Sequence, residues 1–280
     1  MTPMPRFAPY TSLVEKTWYY VLRGIGYGVL LFLLLPILAI IPLSFSESSF
    51  LGYPVTGFSL KWYAGLFASP DWTAAMRNSF IIAPAATALA TVLGVPCALG
   101  LDRGDFPGRR VIIALVLSPI VTPIVVVAVG MYFFFGDIAL DETYAGLILA
   151  HALLGAPFVV TTVLATLKGF DQRLAKASAS LGASRWQTLR RITLPLVLPG
   201  ILTGAIFAFA VSFDEVVVTL FLAGPRQTTI PRQMFSGIRD DINPTILALS
   251  TLLTLLTTAL FLALQWLKRR SANRAMPLPT

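Results

Sequence analysis

Polar residues in this chain are bunched, and the stretches between the bunches are long and apolar. Apolar runs occupy about residues 20–43, 74–101, 111–135, 144–167, 200–222 and 245–267. Each reaches the ~20 residues that a helix needs to cross the hydrocarbon of a bilayer. The pattern predicts an all-α membrane protein with six transmembrane helices. A polar segment covers residues 1–19, the spans fill 20–267, and a basic tail closes the chain at 268–280. The first run lacks a small-residue cleavage site, so it reads as a retained span and not a cleaved leader.

The basic residues orient these spans. With the N-terminus inside, every Lys and Arg except Lys61, Arg77, Arg226, Arg232 and Arg239 falls on the inner side. The positive-inside bias then predicts that both termini are cytoplasmic, with Lys268, Arg269 and Arg270 anchoring the last span. Composition agrees. The chain is 56% hydrophobic and only 12% charged, against about 25% charged in soluble domains. Its mean hydropathy is +0.78. A net charge of +8 would suggest nucleic acid in a soluble protein; here it marks the cytoplasmic face.

The longest polar interruption is the cytoplasmic loop at 168–199. Asp171 is placed as an N-cap, and Leu174, Ala177, Ser178 and Leu181 follow at i, i+3, i+4 and i+7 on one mildly apolar helix face. Gly182 stands where a helix-ending residue of positive φ is wanted. Ser184 and Gln187 form an S-x-x-Q capping box that starts a second helix at once. Pro195 is expected to end or kink that helix, and Pro199-Gly200 opens the next apolar run. The product is a basic helix–turn–helix elbow, with Arg185, Arg190 and Arg191 on its second half. A soluble DNA reader would not need a membrane-length apolar run on each side, so no nucleic acid is expected and the elbow reads as a docking surface at the membrane face.

Lys176-Ala177-Ser178, three residues, Gly182, nine residues, then Ile192-Thr193-Leu194-Pro195 resemble the EAA loop of ABC importer permeases, whose pattern is EAA-x3-G-x9-I-x-L-P. Lys168-Gly169-Phe170-Asp171, Pro199-Gly200, His151 with Pro157-Phe158-Val159-Val160, and the last outer loop resemble the spermidine/putrescine branch of that family. The likeness covers about residues 144–250. It implies the type I ABC importer permease fold in a bacterial inner membrane. It also implies a docking role for Lys176, Ala177, Ser178, Gly182, Ala183, Ser184, Ile192, Leu194 and Pro195. The partners implied are a second permease, two ATPase subunits that bind ATP and Mg, and an external solute-binding protein; this chain itself would hold no cofactor. Two residues depart from the pattern: the family's Glu is Lys176, and its second Ala is Ser178. The charge reversal removes any ion pair made by that Glu and suggests that coupling leans on an intact loop in the second permease.

Asp214 and Glu215, in VSFDEVVVTLF, are the only acids within the core of any span. An intramembrane carboxylate is costly and marks a pathway or a paired site. On a continuous helix Asp214 would lie about 20 Å from Ile201, with Glu215 pointing about 100° away. One is expected to face a solute path and the other a neighbouring helix. Elsewhere, prolines 36, 84, 96, 119, 123 and 157 lie inside spans, and Pro119 and Pro123 together suggest a kink. Gly24-x-x-x-Gly28 and Gly200-x-x-x-Gly204 would permit close helix contact. His151 reads as a hydrogen-bonded structural histidine and Cys97 as a small buried hydrophobe. The outer loop 44–73, with Tyr53, Trp62, Tyr63, Phe67 and Trp72, reads as an interfacial belt carrying a short surface helix, with an external docking face as the sharper alternative.

No G-x-x-x-x-G-K-[ST] phosphate loop occurs in the chain, and no nucleophile–base or metal-ligand constellation, so catalysis by this chain is not expected. The resemblance implies an ATP-driven, binding-protein-dependent importer permease, and its branch together with the two acids points to polyamines or a related amine as the solute. An importer of an opine or amino-acid derivative, and an ion-coupled secondary transporter using Asp214 and Glu215, are the alternatives. A membrane enzyme built on the same acids would lack a nucleophile.

Overall fold

The computed structural model describes residues 10, 12–55, 57–103, 106–169, 172–240 and 244–274. Among them every regular element is helical, apart from one isolated antiparallel bridge between Ser46 and Phe58. The chain divides into two compact units, residues 1–68 with 241–280, and residues 69–240.

The first unit is built on α1 (Leu13–Ser44), α2 (Lys61–Ala68) and α12 (Thr245–Arg274), with α12 packed against both others. Helix α1 starts seven residues before the apolar run. Ser12 and Glu15 form a complete capping box there, a signature present in the sequence as S-x-x-E. At its other end the aromatic loop folds back on it. Tyr63 shares a 2.7 Å hydrogen bond with Ser44, Trp62 Nε1 donates to the Ser46 carbonyl at 2.8 Å, and Tyr53 donates to the Ala39 carbonyl at 2.7 Å. The expected short helix is therefore present as α2, and Tyr53 and Tyr63 hold the loop to α1, while Trp62 ties it to the residues just beyond.

The second unit holds α3 (Pro70–Arg103), α4 (Arg109–Val121), α5 (Ile124–Asp137), α6 (Tyr144–Lys168), α7 (Gln172–Ser180), α8 (Arg185–Thr188), α9 (Leu194–Phe213), α10 (Val217–Leu222) and α11 (Ile230–Asp240). Helix α6 lies at its centre, packed on α3 and on α9. Small residues let it do so. A β-carbon on Gly204 would come within 2.8 Å of Val159 Cα, one on Gly200 within 2.9 Å of Thr166 Cβ, and one on Gly94 within 2.9 Å of Val159. The Gly200/Gly204 pair is thus a true contact seam of α9 with α6. The Gly24/Gly28 pair is not, since among the described residues no other helix or side chain comes within 4 Å of a β-carbon at either position. Two apolar cores are strung along α3 and α6. One gathers Ala90, Ala98, Val159, Val163, Val197 and Ala208. The other gathers Ile82, Ala128, Met131, Leu147, Val218 and Leu222.

Helices α1, α3, α6 and the continuous stretch Arg185–Phe213 are each long and apolar enough to cross a membrane. The expected third span, 111–135, is not one straight helix. It breaks at Thr122–Pro123, where α4 and α5 meet with a bend of 107°. Pro119 and Pro123 explain the break: Pro123 has no amide to donate, and the residue before a proline is driven to extended backbone, as Thr122 is at ψ 136°. Beyond α3, Arg109 Nε donates to the Leu101 carbonyl at 2.7 Å, a cation at the negative end of a helix.

Gly204→Val should lower the melting temperature of the detergent-purified chain, since overpacking at a closed helix contact costs about 1–3 kcal/mol. Gly24→Val should leave it unchanged. Equal melting of the two variants would contradict the α6–α9 seam.

Candidate functional site

Two places in the second unit carry the residues singled out above: the elbow between α7 and α8, and the junction of α9 with α10.

The elbow is formed by local signals. Helix α7 ends in a Schellman turn, with Ala183 N–H on the Ser178 carbonyl at 3.1 Å and Gly182 N–H on the Ala179 carbonyl at 3.0 Å. Gly182 adopts φ +82°, the left-handed value that a side chain resists. Ser184 Oγ accepts the Gln187 amide at 3.3 Å, and Gln187 Oε1 accepts the Ser184 amide at 2.8 Å, which completes the capping box. The two short helices are joined by Ser178 and Thr188, whose buried hydroxyls lie 2.7 Å apart. Asp171, the expected N-cap, and the side chain of Lys176 lie outside the described residues.

Of the mildly apolar face of α7 only Ser178 is buried, while Leu174 is 48% and Leu181 89% exposed. One expectation about the elbow is corrected. Pro195 does not end the second helix. Residues Leu189–Thr193 form a π-helical turn that runs from α8 straight into α9, and the Leu194 amide reaches the Leu189 carbonyl. The wider turn stands just ahead of the proline ring, where regular α-helix would clash with the preceding turn. Pro195 stands in the first turn of α9, and its missing amide falls where the π-helical turn passes into regular α-helix. Ile192 and Leu194 are half-buried along this stretch. A recess of about 360 Å³ opens beside the turn, lined by Leu181, Gly182, Ala183, Gln187, Thr188, Arg191 and Ile192. Together with Trp186, 65% exposed, it gives the elbow a rigid, basic and partly apolar outer surface.

The junction differs from expectation too. The run 200–222 is not one helix, so the two acids do not project from a continuous face. Helix α9 stops at Phe213, and Asp214 is its C-cap, donating its amide to the Ala210 carbonyl at 3.1 Å. Glu215 turns back instead. Its Oε1 accepts the Val218 amide at 2.8 Å, the reach of a capping side chain. The physical reason is local: a carboxylate offered to the free amides of α10 satisfies donors that a broken helix would leave bare. Asp214 is exposed, and among the described residues no side chain or amide pairs with its carboxylate. The residue before it, Phe213, belongs to an aromatic group. Phe213 stacks on Phe209 at 5.4 Å and meets Phe80 edge-on at 5.7 Å between centroids.

His151, expected to be hydrogen-bonded and structural, is buried on α6 between the two sides of this junction. Its Nδ1 lies 2.9 Å from Ser212 Oγ on α9, and its Nε2 lies 3.1 Å from Thr219 Oγ1 on α10. Sequence reasoning missed a second polar knot. Asn78, fully buried, donates to the carbonyls of Arg226 and Thr228 at 2.9 and 2.8 Å and accepts from Tyr144 OH at 2.7 Å. Ser79 Oγ accepts the Ile230 amide at 2.8 Å, and Arg232 donates to the carbonyls of Ala223 and Gly224. These bonds fix the loop 223–240, including the unforeseen helix α11. Its partners lie about 150 residues apart in sequence, so only the i, i+4, i+8 spacing of Ile230, Met234 and Ile238 could have signalled the helix.

An all-helical chain with several membrane-length spans, a rigid basic elbow and an open acid beside a break in a span has the make-up of a multi-pass membrane transport component. A family profile described as "binding-protein-dependent transport system inner membrane component" matches residues 90–273, and the chain belongs to that family. It is 31% identical over 253 residues to the spermidine/putrescine transport system permease protein PotC of Haemophilus influenzae, covering 90% of this chain and 98% of that one. It is 30% identical over 248 residues to the putrescine transport system permease protein PotI of Escherichia coli strain K12, covering 86% and 87%. The fold is that of ABC importer permeases. It matches a chain of a bacterial ABC transporter involved in the import of the acidic polysaccharide alginate, with a TM-score of 0.74 at 14% identity, over 94% of this chain and 99% of that one.

The Glu215 geometry predicts that Glu215→Gln, which keeps an acceptor oxygen, will melt like the parent in detergent. Glu215→Ala should lose about 1 kcal/mol, the worth of a helix cap. Equal loss in both variants would show that the charge, not the cap, matters.

Proposed function

We propose that this chain is the transmembrane permease subunit of an ATP-driven importer of polyamines or a related amine. The observation that carries this reading is the exposed carboxylate of Asp214 at the end of α9, which directly follows Phe213, a ring packed on Phe80 and Phe209. An ammonium group entering a membrane path loses hydration, and a carboxylate with aromatic faces can replace part of it. The names of PotC and PotI support the same solute class. The alginate transporter warns that the fold by itself selects no substrate, since it also serves an acidic polysaccharide. Glu215, spent on the α10 cap, is not free to pair with Asp214 as an ion relay, which disfavours the secondary-transporter reading.

In this proposal the chain sits in a bacterial inner membrane with six spans and both termini in the cytoplasm, the broken α4–α5 pair counting as one span. It pairs with a second, different permease chain. Two ATPase subunits bind ATP and Mg and dock on the two elbows, and an external binding protein delivers the solute. Leu181, Trp186 and the recess around Gly182 and Ala183 supply the docking surface here; Ala177, Ser178 and Ser184 shape it, Lys176 belongs to the same loop, and Ile192, Leu194 and Pro195 tie it to the span. ATP-driven closure of the ATPase pair draws the elbows together and opens the path outward. Binding along the path stays weak, because the external protein supplies affinity and tight binding inside would slow release.

Two variants test the two ends of the proposal. Gly182→Arg forces a long side chain onto a left-handed backbone. It should insert in the membrane yet lose the ATPase subunits on purification; co-purification with unaltered transport would refute the elbow as the dock. Asp214→Asn keeps shape while removing charge. In liposomes holding the whole complex it should cut putrescine uptake at least tenfold, while the complex still purifies with all subunits. Unchanged uptake would remove Asp214 from the path.

A further inference from the structure

The acid at the junction is held by neighbours that themselves cannot touch a solute. His151 is 1% exposed, Ser212 4% and Thr219 fully buried. The imidazole nevertheless reaches both sides of the break. One ring nitrogen meets the last turn of α9 through Ser212 at 2.9 Å, and the other meets α10 through Thr219 at 3.1 Å. Thr219 Oγ1 in turn donates to the Glu215 carbonyl at 3.0 Å, inside the three-residue turn Asp214–Val216. The turn is thus gripped at its entry, its middle and its exit, and the grip originates on α6, the helix that runs through both apolar cores.

A break in a span does not need such a grip to satisfy its backbone, because Glu215 already caps α10. What the grip adds is geometry. Ser212 lies two residues before Asp214, and Thr219 bonds the residue after it. With both fixed, the C-cap backbone of Asp214, φ −96° and ψ 3°, has little freedom to swing. A neutral imidazole suits the task because its two nitrogens lie on opposite sides of a rigid ring, one donor and one acceptor, and hydroxyls can meet either role. A shorter or single-headed polar side chain can reach only one of the two partners.

We propose that His151 is a positioning residue of the transport path: it acts through Ser212 and Thr219 to hold the Asp214 carboxylate where the solute passes. This rests on the reading of Asp214 as a path residue. The contribution of a positioned carboxylate is lost when it can wander, since preorganisation and not mere presence of the charge provides the interaction.

The test uses putrescine uptake by the complete complex in liposomes, with its ATPase subunits and external binding protein. His151→Leu, of similar bulk but without hydrogen bonds, should lower uptake about tenfold, as expected for loss of a geometry-dependent interaction. His151→Asn and His151→Gln, each able to keep one arm, should recover part of the rate. Ser212→Ala and Thr219→Val, each removing one arm, should fall between His151→Leu and the parent; they keep the test open if the leucine variant does not assemble. In the Asp214→Asn background, His151→Leu should cost less than about twofold more, because residues acting as a unit are not additive. Losses that multiply in the double variant, or an absence of rescue by both amides, would show His151 to be a packing residue only. If Asp214→Asn lowers uptake and His151→Leu does not, the positioning role falls and Asp214 stays on the path. If Asp214→Asn alone is silent, the path reading falls and takes this role with it.

Discussion

Hydrocarbon offers no partner for an amide or a carbonyl, so every interruption of a spanning helix must satisfy its own backbone. One span among the described residues is interrupted, between α4 and α5, and the spanning stretch that includes α9 ends in a turn before α10; the way each place meets that demand shapes the second unit. At the first, proline removes one donor outright. The Thr122 amide turns back to the Ser118 carbonyl at 2.9 Å, and Pro123 supplies the carbonyl for Val126 at 2.9 Å. At the second, Glu215 lends its carboxylate to Val218. The segments beyond the two breaks, α5 and α10, then pack on one another and share one apolar core with the upper part of α6. Helix α9, before its break, shares the other core. The breaks therefore separate two packed layers threaded by the unbroken α3 and α6, and the polar groups of the junction are concentrated where the layers meet.

The elbow was legible in the sequence because its determinants are local. Gly182, Ser184 and Gln187 act within a few residues of themselves, and each behaves as its spacing says. The same holds for the Gly200/Gly204 seam, although sequence could not tell it from Gly24/Gly28: spacing is identical, and only the presence of Thr162 and Val159 opposite one pair distinguishes them. The breaks were less legible. Pro119 and Pro123 signalled a kink, but its 107° follows from what α5 finds to pack against. Glu215 was read by its cost in a membrane, which hid its ordinary use as a cap. Asn78 and Tyr144 gave no signal at all, because their partners come from loops far along the chain. Membership of the permease family follows from the whole pattern, whereas the use made of Asp214 and Glu215 depends on how each is held, which their spacing does not state.

The π-helical turn at Leu189–Thr193 has a mechanical consequence. By carrying the helix past Pro195 without interruption, it makes one rod of Arg185–Phe213, 29 residues, about 43 Å at 1.5 Å per residue. One end of that rod is the elbow and the other is the turn bearing Asp214. Seated against α6 through Gly200 and Gly204, that stretch is the direct covalent link between the elbow and the turn bearing Asp214. The extra residue in the wide turn also sets the phase of the rod, fixing which way its far tip points for a given seating of the elbow.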